Sequence, residues 1–316
     1  MRSDRILVFS GSGSRQLTSS ICGCLQTAQG NSEVIHFSEG NTFVRINENV
    51  RGCHVYIVQS IVYPANDNLV ELLFWIDAFK RASAESVTVI IPFFSYSKGD
   101  KKDEPRVSIR ARVCADAIEV AGADRIVTMD LHSPQIQGFF RKPVDNLYAL
   151  GILCEKIKSL EPDDYVIVSP DTGFAGQARK FASYLKTPVV IADKQRLRHD
   201  ENAEITVIIG DVKGKTAIVV DDMIISGGTL KDVAEKLLHQ GAKQVYAMAT
   251  HGVLSPGSEQ KLNDSPIKKI FITDTVENQP EKFSPKIEVV SVAPVFAEAI
   301  KRIHNKESLS DIFAVK

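Results

Sequence analysis

The stretch Ile218-Val219-Val220-Asp221-Asp222-Met223-Ile224-Ile225-Ser226-Gly227-Gly228-Thr229-Leu230 decides how this chain folds. A β-branched run leads straight into two carboxylates and then into a loop of small residues. An apolar run without alternation reads as a strand covered on both faces, the mark of a mainly parallel sheet. Beyond the loop, Leu230, Val233, Ala234, Leu237 and Leu238 recur at helical spacing. Strand, small-residue loop and helix in that order make an anion site, because backbone N–H groups of the loop and first helical turn point at the ligand. Gly227 and Gly228 allow close backbone approach, and Thr229 is expected to cap the helix and add a hydroxyl. Adjacent acids on a strand point to opposite sides, so one can meet sugar hydroxyls while the other serves a metal or orients the loop. A solvated turn would account for the glycines but not for paired acids directly after an apolar strand.

The same alternation runs outward from this stretch. Strands are expected at Ile6–Phe9, Val55–Gln59, Val87–Pro92, Ile126–Asp130, Tyr165–Ser169, Val189–Ala192, Thr216–Val220, Gln244–Thr250, Lys269–Thr273 and Ile287–Ser291. Helical faces are expected at Leu69, Leu72, Leu73 and Ile76, and at Ile109, Val113, Ala117 and Val120. Strand–helix alternation gives an α/β fold with right-handed crossovers. A chain of 316 residues exceeds what one core usually serves, so two tandem domains are expected, 1–147 and 148–316. Each is read as a mainly parallel sheet flanked by helices. Val87–Pro92 and Thr216–Val220 both lead through a loop into a helix, which points to an internal duplication. The amphipathic segment Val295–Ile303 and the polar tail after it are expected to pack back on the first domain.

Composition narrows the class. Hydrophobic residues make up 44% and charged residues 24%, as in an ordinary globular protein. A net charge of -1 gives no reason to expect a nucleic-acid or membrane partner. No apolar run reaches the ~20 residues that span a bilayer, and no signal-like stretch precedes Ile6. Cys22, Cys24, Cys53, Cys114 and Cys154 are scattered and odd in number, so they read as buried free thiols in a reducing cytoplasm.

Residues 219–229 resemble the phosphoribosyl-binding signature of the type I phosphoribosyltransferase fold. The chain also resembles ribose-phosphate pyrophosphokinases at Asn66–Leu73, Lys80–Ala84, Thr128-Met129-Asp130-Leu131-His132, Gln135–Phe140, Pro143–Leu147, Ile209-Gly210-Asp211-Val212 and Ala249-Thr250-His251-Gly252. The resemblance spans nearly the whole chain. It implies transfer of the β,γ-pyrophosphoryl group of MgATP to the C1 hydroxyl of ribose 5-phosphate, in a homo-oligomer built as a hexamer or on dimers. It assigns Asp221, Asp222, Ser226, Gly227, Gly228 and Thr229 to the sugar phosphate. Phe37, Glu39, Asn41, Lys98, Asp100 and His132 fall to ATP, and His132 and Asp171 to Mg2+. Histidine is a poor ligand for a hard cation, so His132 could instead act through water or on the phosphates. Asp171 opens Asp171-Thr172-Gly173-Phe174-Ala175-Gly176, where a Pro-Asp turn is the plain alternative to a pyrophosphate cradle. Lys194 and Arg196, expected on a polar loop after Ala192, match cations that close over ATP and steady charge in the transition state.

Several positions depart from the family. Lys98-Gly99-Asp100 stands where many members carry Arg-Gln-Asp, so a bidentate fork and a side chain are both lost. Asn41 replaces a base-reading Glu, and Ile225 replaces an Asp. Arg51, Arg81, Ser83, Ser308 and Ser310 resemble an activator-phosphate site, with a simple polar tail as the alternative reading. Asn49 and Ala314 replace hydroxyls found in phosphate-activated members. Two other functions remain open at this point. One is a non-catalytic homologue restraining an active partner. The other is a base-directed phosphoribosyltransferase, which would not explain the duplicated length or the Lys194–Arg196 pair.

Overall fold

The computed structural model describes residues 5–196, 204–278 and 284–313, with the backbone alone for 194–196, 204–206, 311 and 313. Along the chain run β1 (Leu7–Ser10), α1 (Arg15–Leu25), β2 (Ser32–His36), β3 (Thr42–Ile46), β4 (His54–Val58), α2 (Ala65–Arg81), β5 (Ser86–Ile91), α3 (Arg110–Ala121), β6 (Arg125–Met129) and β7 (Val144–Leu147). They continue as α4 (Leu150–Ser159), β8 (Tyr165–Ser169), α5 (Ala175–Leu185), β9 (Val189–Arg196), β10 (Glu204–Ile209), β11 (Thr216–Ile224), α6 (Gly228–His239), β12 (Gln244–Gly252), α7 (Ser258–Asn263), β13 (Lys269–Thr273), β14 (Ile287–Val290), α8 (Ala293–His304) and α9 (Ser310–Phe313). The chain forms two compact units. One gathers the residues up to Tyr148 with Thr275–Glu277 and the segment from Ser291, and the other holds Ala149–Asp274 and Asn278–Val290.

In the first unit the sheet order is β1-β4-β5-β6-β7, parallel throughout, with β2 and β3 as a separate antiparallel hairpin. The strands are buried on both faces, which is why they read as unbroken apolar runs. Helix α2 covers one face through Leu72, Trp75, Ile76 and Phe79, with Phe79 4.8 Å from Phe9 between ring centres. Helix α8 packs against α1 within this unit.

Helix α3 corrects the face expected for it. Val113 and Val120 are 60% and 87% exposed, and the buried stripe is Ala111, Cys114, Ala115 and Ile118. The small residues of that stripe let the helix sit close to its neighbours, so packing chose the stripe of lesser bulk.

The loop after β1, Gly11-Ser12-Gly13-Ser14, looks like a second anion cradle, but its donors are spent internally. The Ser12 N–H donates to Glu71 Oε1 at 2.8 Å, and the Gly13 N–H to Gln59 Oε1 at 2.9 Å. Trp75 Nε1 also donates to Glu71 Oε1, at 3.1 Å, and Gln59 Nε2 donates to Asn68 Oδ1 at 2.9 Å. Glu71, Gln59 and Asn68 are all buried. A Cβ on Gly13 would stand 2.7 Å from the Ser60 carbonyl, so glycine is needed there for close approach. Glu71→Ala strands two buried donors, at about 1–3 kcal/mol each. We expect a stability loss of about 2–6 kcal/mol by denaturant titration. Glu71→Gln, which keeps the acceptor, should lose less; equal losses would assign the cost to the charge.

The second unit has the sheet order β10-β9-β8-β11-β12-β13-β14. All pairs are parallel except β9 with β10. From β8 the chain builds outward one way through β9 and β10, then returns to start β11 on the other side of β8. That reversal is the place where doubly wound sheets open a crevice for ligands. The strand carrying the acids is longer than expected. It continues through Ile224, with Asp221 paired to Ala249 and Met223 to His251, so both acids lie within the strand. Strand β9 likewise runs on to Arg196, where a loop is expected, because antiparallel pairing with β10 satisfies its backbone.

None of the five cysteines forms a disulfide. Burial raises the Cys22 and Cys114 thiols to about 11 and the Cys154 thiol to about 12, which keeps them protonated and inert. Cys24 is exposed, against the expectation of burial, since it lies on the outer side of α1. Among the described residues no helix is long and apolar enough to cross a membrane.

Candidate active site

Two neighbouring strands of the second unit deliver the acids. β8 and β11 pair in register from Tyr165–Thr216 to Val168–Val219. Asp171 therefore follows the end of one strand beside Asp221 and Asp222 on the other. Burial pushes the Asp221 carboxyl well above the usual carboxylate range. The Asp222 carboxylate pushes the same way, and Asp171 adds to it. The Asp222 N–H donates to Asp221 Oδ1 at 2.9 Å and opposes that rise. An acid pair with a third carboxylate acting on it from the adjoining strand end favours a cationic or hydroxyl-bearing guest.

The loop after the acids is a built cradle. Gly227 has φ +74°, and a Cβ there would stand 2.8 Å from Leu262, so both backbone and space demand glycine. Gly227 is the cap of α6, and no side chain caps it. Thr229, expected as the cap, instead sits in the first helical turn. With no acid in that turn, the leading N–H groups face the loop without a local anion. Ser226 is exposed and Gly228 and Thr229 are half-buried. The loop is braced from behind: the Ser255 N–H and hydroxyl donate to the Ile225 carbonyl at 2.9 and 3.0 Å. Ile225 thus holds the loop through its backbone.

Asp171 is exposed, and its Oδ1 accepts from the Phe174 N–H at 2.8 Å. The buried Ser169 hydroxyl donates to the Asp171 carbonyl at 2.7 Å. This is the turn geometry of the plain reading, and it also fixes the carboxylate at the strand end. The backbone of Lys194 and Arg196 lies in β9, opposite Thr206 and Glu204 of β10, while both side chains lie outside the described residues.

The remaining candidates belong to the first unit. Phe37, Glu39 and Asn41 are exposed on the turn between β2 and β3, closed by the Phe37 N–H donating to the Asn41 carbonyl at 2.8 Å. The Phe37 ring lies 6.3 Å from that of Phe43. Lys98 is exposed and Asp100 half-buried on the 3₁₀ turn after β5. His132 is exposed after β6. Its turn depends on a residue that sequence reasoning gave no role. The buried Asn146 accepts from the Leu131 N–H through Oδ1 at 3.1 Å, next to Asp130 at φ +40°. A left-handed Asp after an apolar strand is stabilised this way, and the turn presents His132. The Pro143–Leu147 motif was the available signal, but nothing local says which way its Asn faces.

The activator-phosphate candidates form two local groups. The Gly52 N–H, beside Arg51, donates to the Ser83 carbonyl at 2.9 Å, and the Arg51 N–H donates to Asn49 Oδ1 at 3.0 Å. The Ser308 hydroxyl donates to Ser310 Oγ at 2.9 Å, and Arg302 donates to the Ser308 carbonyl at 2.8 Å. Arg81 is paired with Asp77 at 2.7 Å.

The family model for the N-terminal domain of ribose phosphate pyrophosphokinase matches residues 6–122, and that for the phosphoribosyl synthetase-associated domain matches residues 196–314. The chain is 50% identical over 307 residues to a ribose-phosphate pyrophosphokinase of Caldanaerobacter subterraneus subsp. tengcongensis, covering 97% of each. It is 46% identical over 310 residues to that of Clostridium acetobutylicum, covering 98% of this chain and 97% of the relative. The solved phosphoribosylpyrophosphate synthetase from Mycobacterium smegmatis is 39% identical with a TM-score of 0.90, over 96% of this chain and 99% of that one. Identity of that extent, on a fold shared nearly end to end, shows that this chain belongs to the ribose-phosphate pyrophosphokinase family.

Proposed function

We propose that the protein transfers the β,γ-pyrophosphoryl group of MgATP to the C1 hydroxyl of ribose 5-phosphate, releasing AMP and 5-phosphoribosyl 1-diphosphate. The observation that carries this reading is the acid pair Asp221–Asp222 leading into the Gly227 cradle at the reversal point of the sheet. The N–H groups of Ser226–Thr229 and the start of α6 bind the 5-phosphate. Asp221 and Asp222 accept hydrogen bonds from the ribose hydroxyls and orient C1. The C1 oxygen then bonds to the β-phosphorus while the bond to the α–β bridging oxygen breaks. AMP leaves with that oxygen, and the C1 hydroxyl gives up its proton.

Phe37, Glu39, Asn41, Lys98, Asp100 and His132 serve the nucleotide, and Lys194 and Arg196 steady the charge on the transferring group. Arg51, Ser83, Ser308 and Ser310 are assigned to a regulatory phosphate, and the working form is a homo-oligomer.

The oxygen donors fit magnesium. Asp171, Asp221 and Asp222 offer carboxylate oxygens, and among the described residues no three His, Cys, Asp or Glu side chains converge to hold an ion alone. Asp171 of the second unit is assigned to a cation held otherwise by water and substrate phosphates, and His132 of the first unit to the nucleotide phosphates or their metal. When bound, the ion neutralises phosphate charge and polarises the β-phosphoryl group.

Incubation with ATP, ribose 5-phosphate and magnesium should form AMP and 5-phosphoribosyl 1-diphosphate in equal amounts. Absence of AMP with both ATP and GTP, with and without inorganic phosphate, would overturn the reading.

A further inference from the structure

Gly99 is not required by its backbone, because it is absent from the left-handed positions where glycine is favoured. It is required by a neighbour. A Cβ at Gly99 would stand 2.7 Å from Arg110 Nε and 2.9 Å from Arg110 Cβ. The Arg110 side chain therefore lies directly over the space that any larger residue at position 99 would fill. A side chain at 99 would meet the arginine's Nε, which a change of rotamer could move, and its Cβ, which only a backbone shift could move.

The guanidinium itself is unspent. Arg110 is exposed and makes no hydrogen bond or ion pair among the described residues. It is the first residue of α3, whose first turn carries no acid, so its charge opposes the positive end of the helix. Arg112, two positions on, shows the ordinary solution: its guanidinium reaches Asp116 at 2.7 Å. The groups around Arg110 do not compensate it. Tyr96, whose phenol feels the Arg110 charge, directs its hydroxyl to Asn66 Oδ1. Asp100 is half-buried in the adjoining turn and forms no ion pair with it, and Lys98 adds a second exposed cation. This turn follows the carboxyl end of β5, the side on which parallel sheets receive ligands.

We propose that Arg110 contacts the nucleotide, presenting its planar fork to the ATP phosphates across Gly99. The inference rests on the assignment of Lys98 and Asp100 to ATP made above. Lys98 supplies a compact point charge there, and Arg110 supplies the bidentate geometry that lysine lacks. Loss of bulk at position 99 is what admits it.

The test uses the full chain with Arg110→Ala, Arg110→Lys and Gly99→Gln. MgATP, ribose 5-phosphate and inorganic phosphate are titrated separately by calorimetry, alongside steady-state AMP formation. Arg110→Ala should raise both the Kd and the KM for ATP about tenfold or more, as expected for a lost charge-assisted bidentate contact. The KM for ribose 5-phosphate should stay within about twofold. Arg110→Lys keeps the stem over Gly99 and should weaken ATP by a smaller factor. Gly99→Gln should weaken ATP as well, because its side chain takes the space over which the guanidinium lies. Unchanged ATP affinity in Arg110→Ala overturns the proposal. So does equal weakening of ribose 5-phosphate or free phosphate, which would make Arg110 a general anion contact. A parent chain that binds MgATP but forms no AMP would overturn the proposed reaction alone, with Arg110 still decided by the binding titration.

Discussion

Replacing Asp221 and Asp222 together by Asn should cut kcat/KM for ribose 5-phosphate by about two to four orders of magnitude. Each carboxylate that accepts from a sugar hydroxyl makes a charge-assisted bond worth about 1.5–3 kcal/mol, and two such losses add to that range. Stability should move the other way in Asp221→Asn. Burial and the Asp222 and Asp171 charges raise the Asp221 pKa in the folded protein. The group therefore contributes full stability below the unfolded carboxylate pKa of about 3.9, and that contribution is lost as pH rises through the raised folded value. Ionising Asp221 in the empty folded site is unfavourable, a cost that Asn does not carry. Thermal melts of Asp221→Asn should exceed the parent at pH 7 and converge with it near pH 4. Intact kcat/KM would separate the acid pair from the sugar, and a variant no more stable at pH 7 would remove the electrostatic cost assigned to Asp221. Strain of this kind, kept where the ligand binds, is the usual exchange of stability for function.

The second large effect concerns Lys194 and Arg196. Alanine at either position should lower kcat by about a thousandfold or more, with a smaller change in the Kd for ATP, because cations at the transferring group act mainly on the transition state. Single-turnover AMP formation at saturating ATP isolates that step. A rise in Kd with kcat unchanged would make these residues binding contacts only. Their backbone setting bears on the result. The backbone of both stands in β9 where it pairs with β10, so paired backbone fixes their spacing. Arg196→Lys should not fully rescue, since lysine lacks the planar fork.

The acid pair and its cradle illustrate what could be read without coordinates. Strands buried on both faces must be apolar without interruption, so Tyr165–Ser169 and Lys269–Thr273 were legible to the residue. The helix after Leu230 showed its face because its buried positions, Leu230, Val233, Ala234 and Leu237, are all apolar and recur at helical spacing. Gly227 could be singled out, although the second reason for it, contact with Leu262, could not.

Other features depend on partners far away in the chain. The β2–β3 hairpin and β10 are half-exposed or edge strands, whose mixed polarity hides them. The choice between two apolar stripes on α3 was made by packing. Glu71 looks like a surface acid until Ser12 and Trp75 are seen donating to it. Local order along the chain thus established the class of fold and the chemistry of its loops, because burial and anion binding leave marks within a few residues. Pairing β8 beside β11 set Asp171 against Asp221, and laying Arg110 over Gly99 changed the surroundings of Lys98. Those arrangements arise only when strands and helices pack, since no neighbouring residue encodes which distant side chain will fill a space.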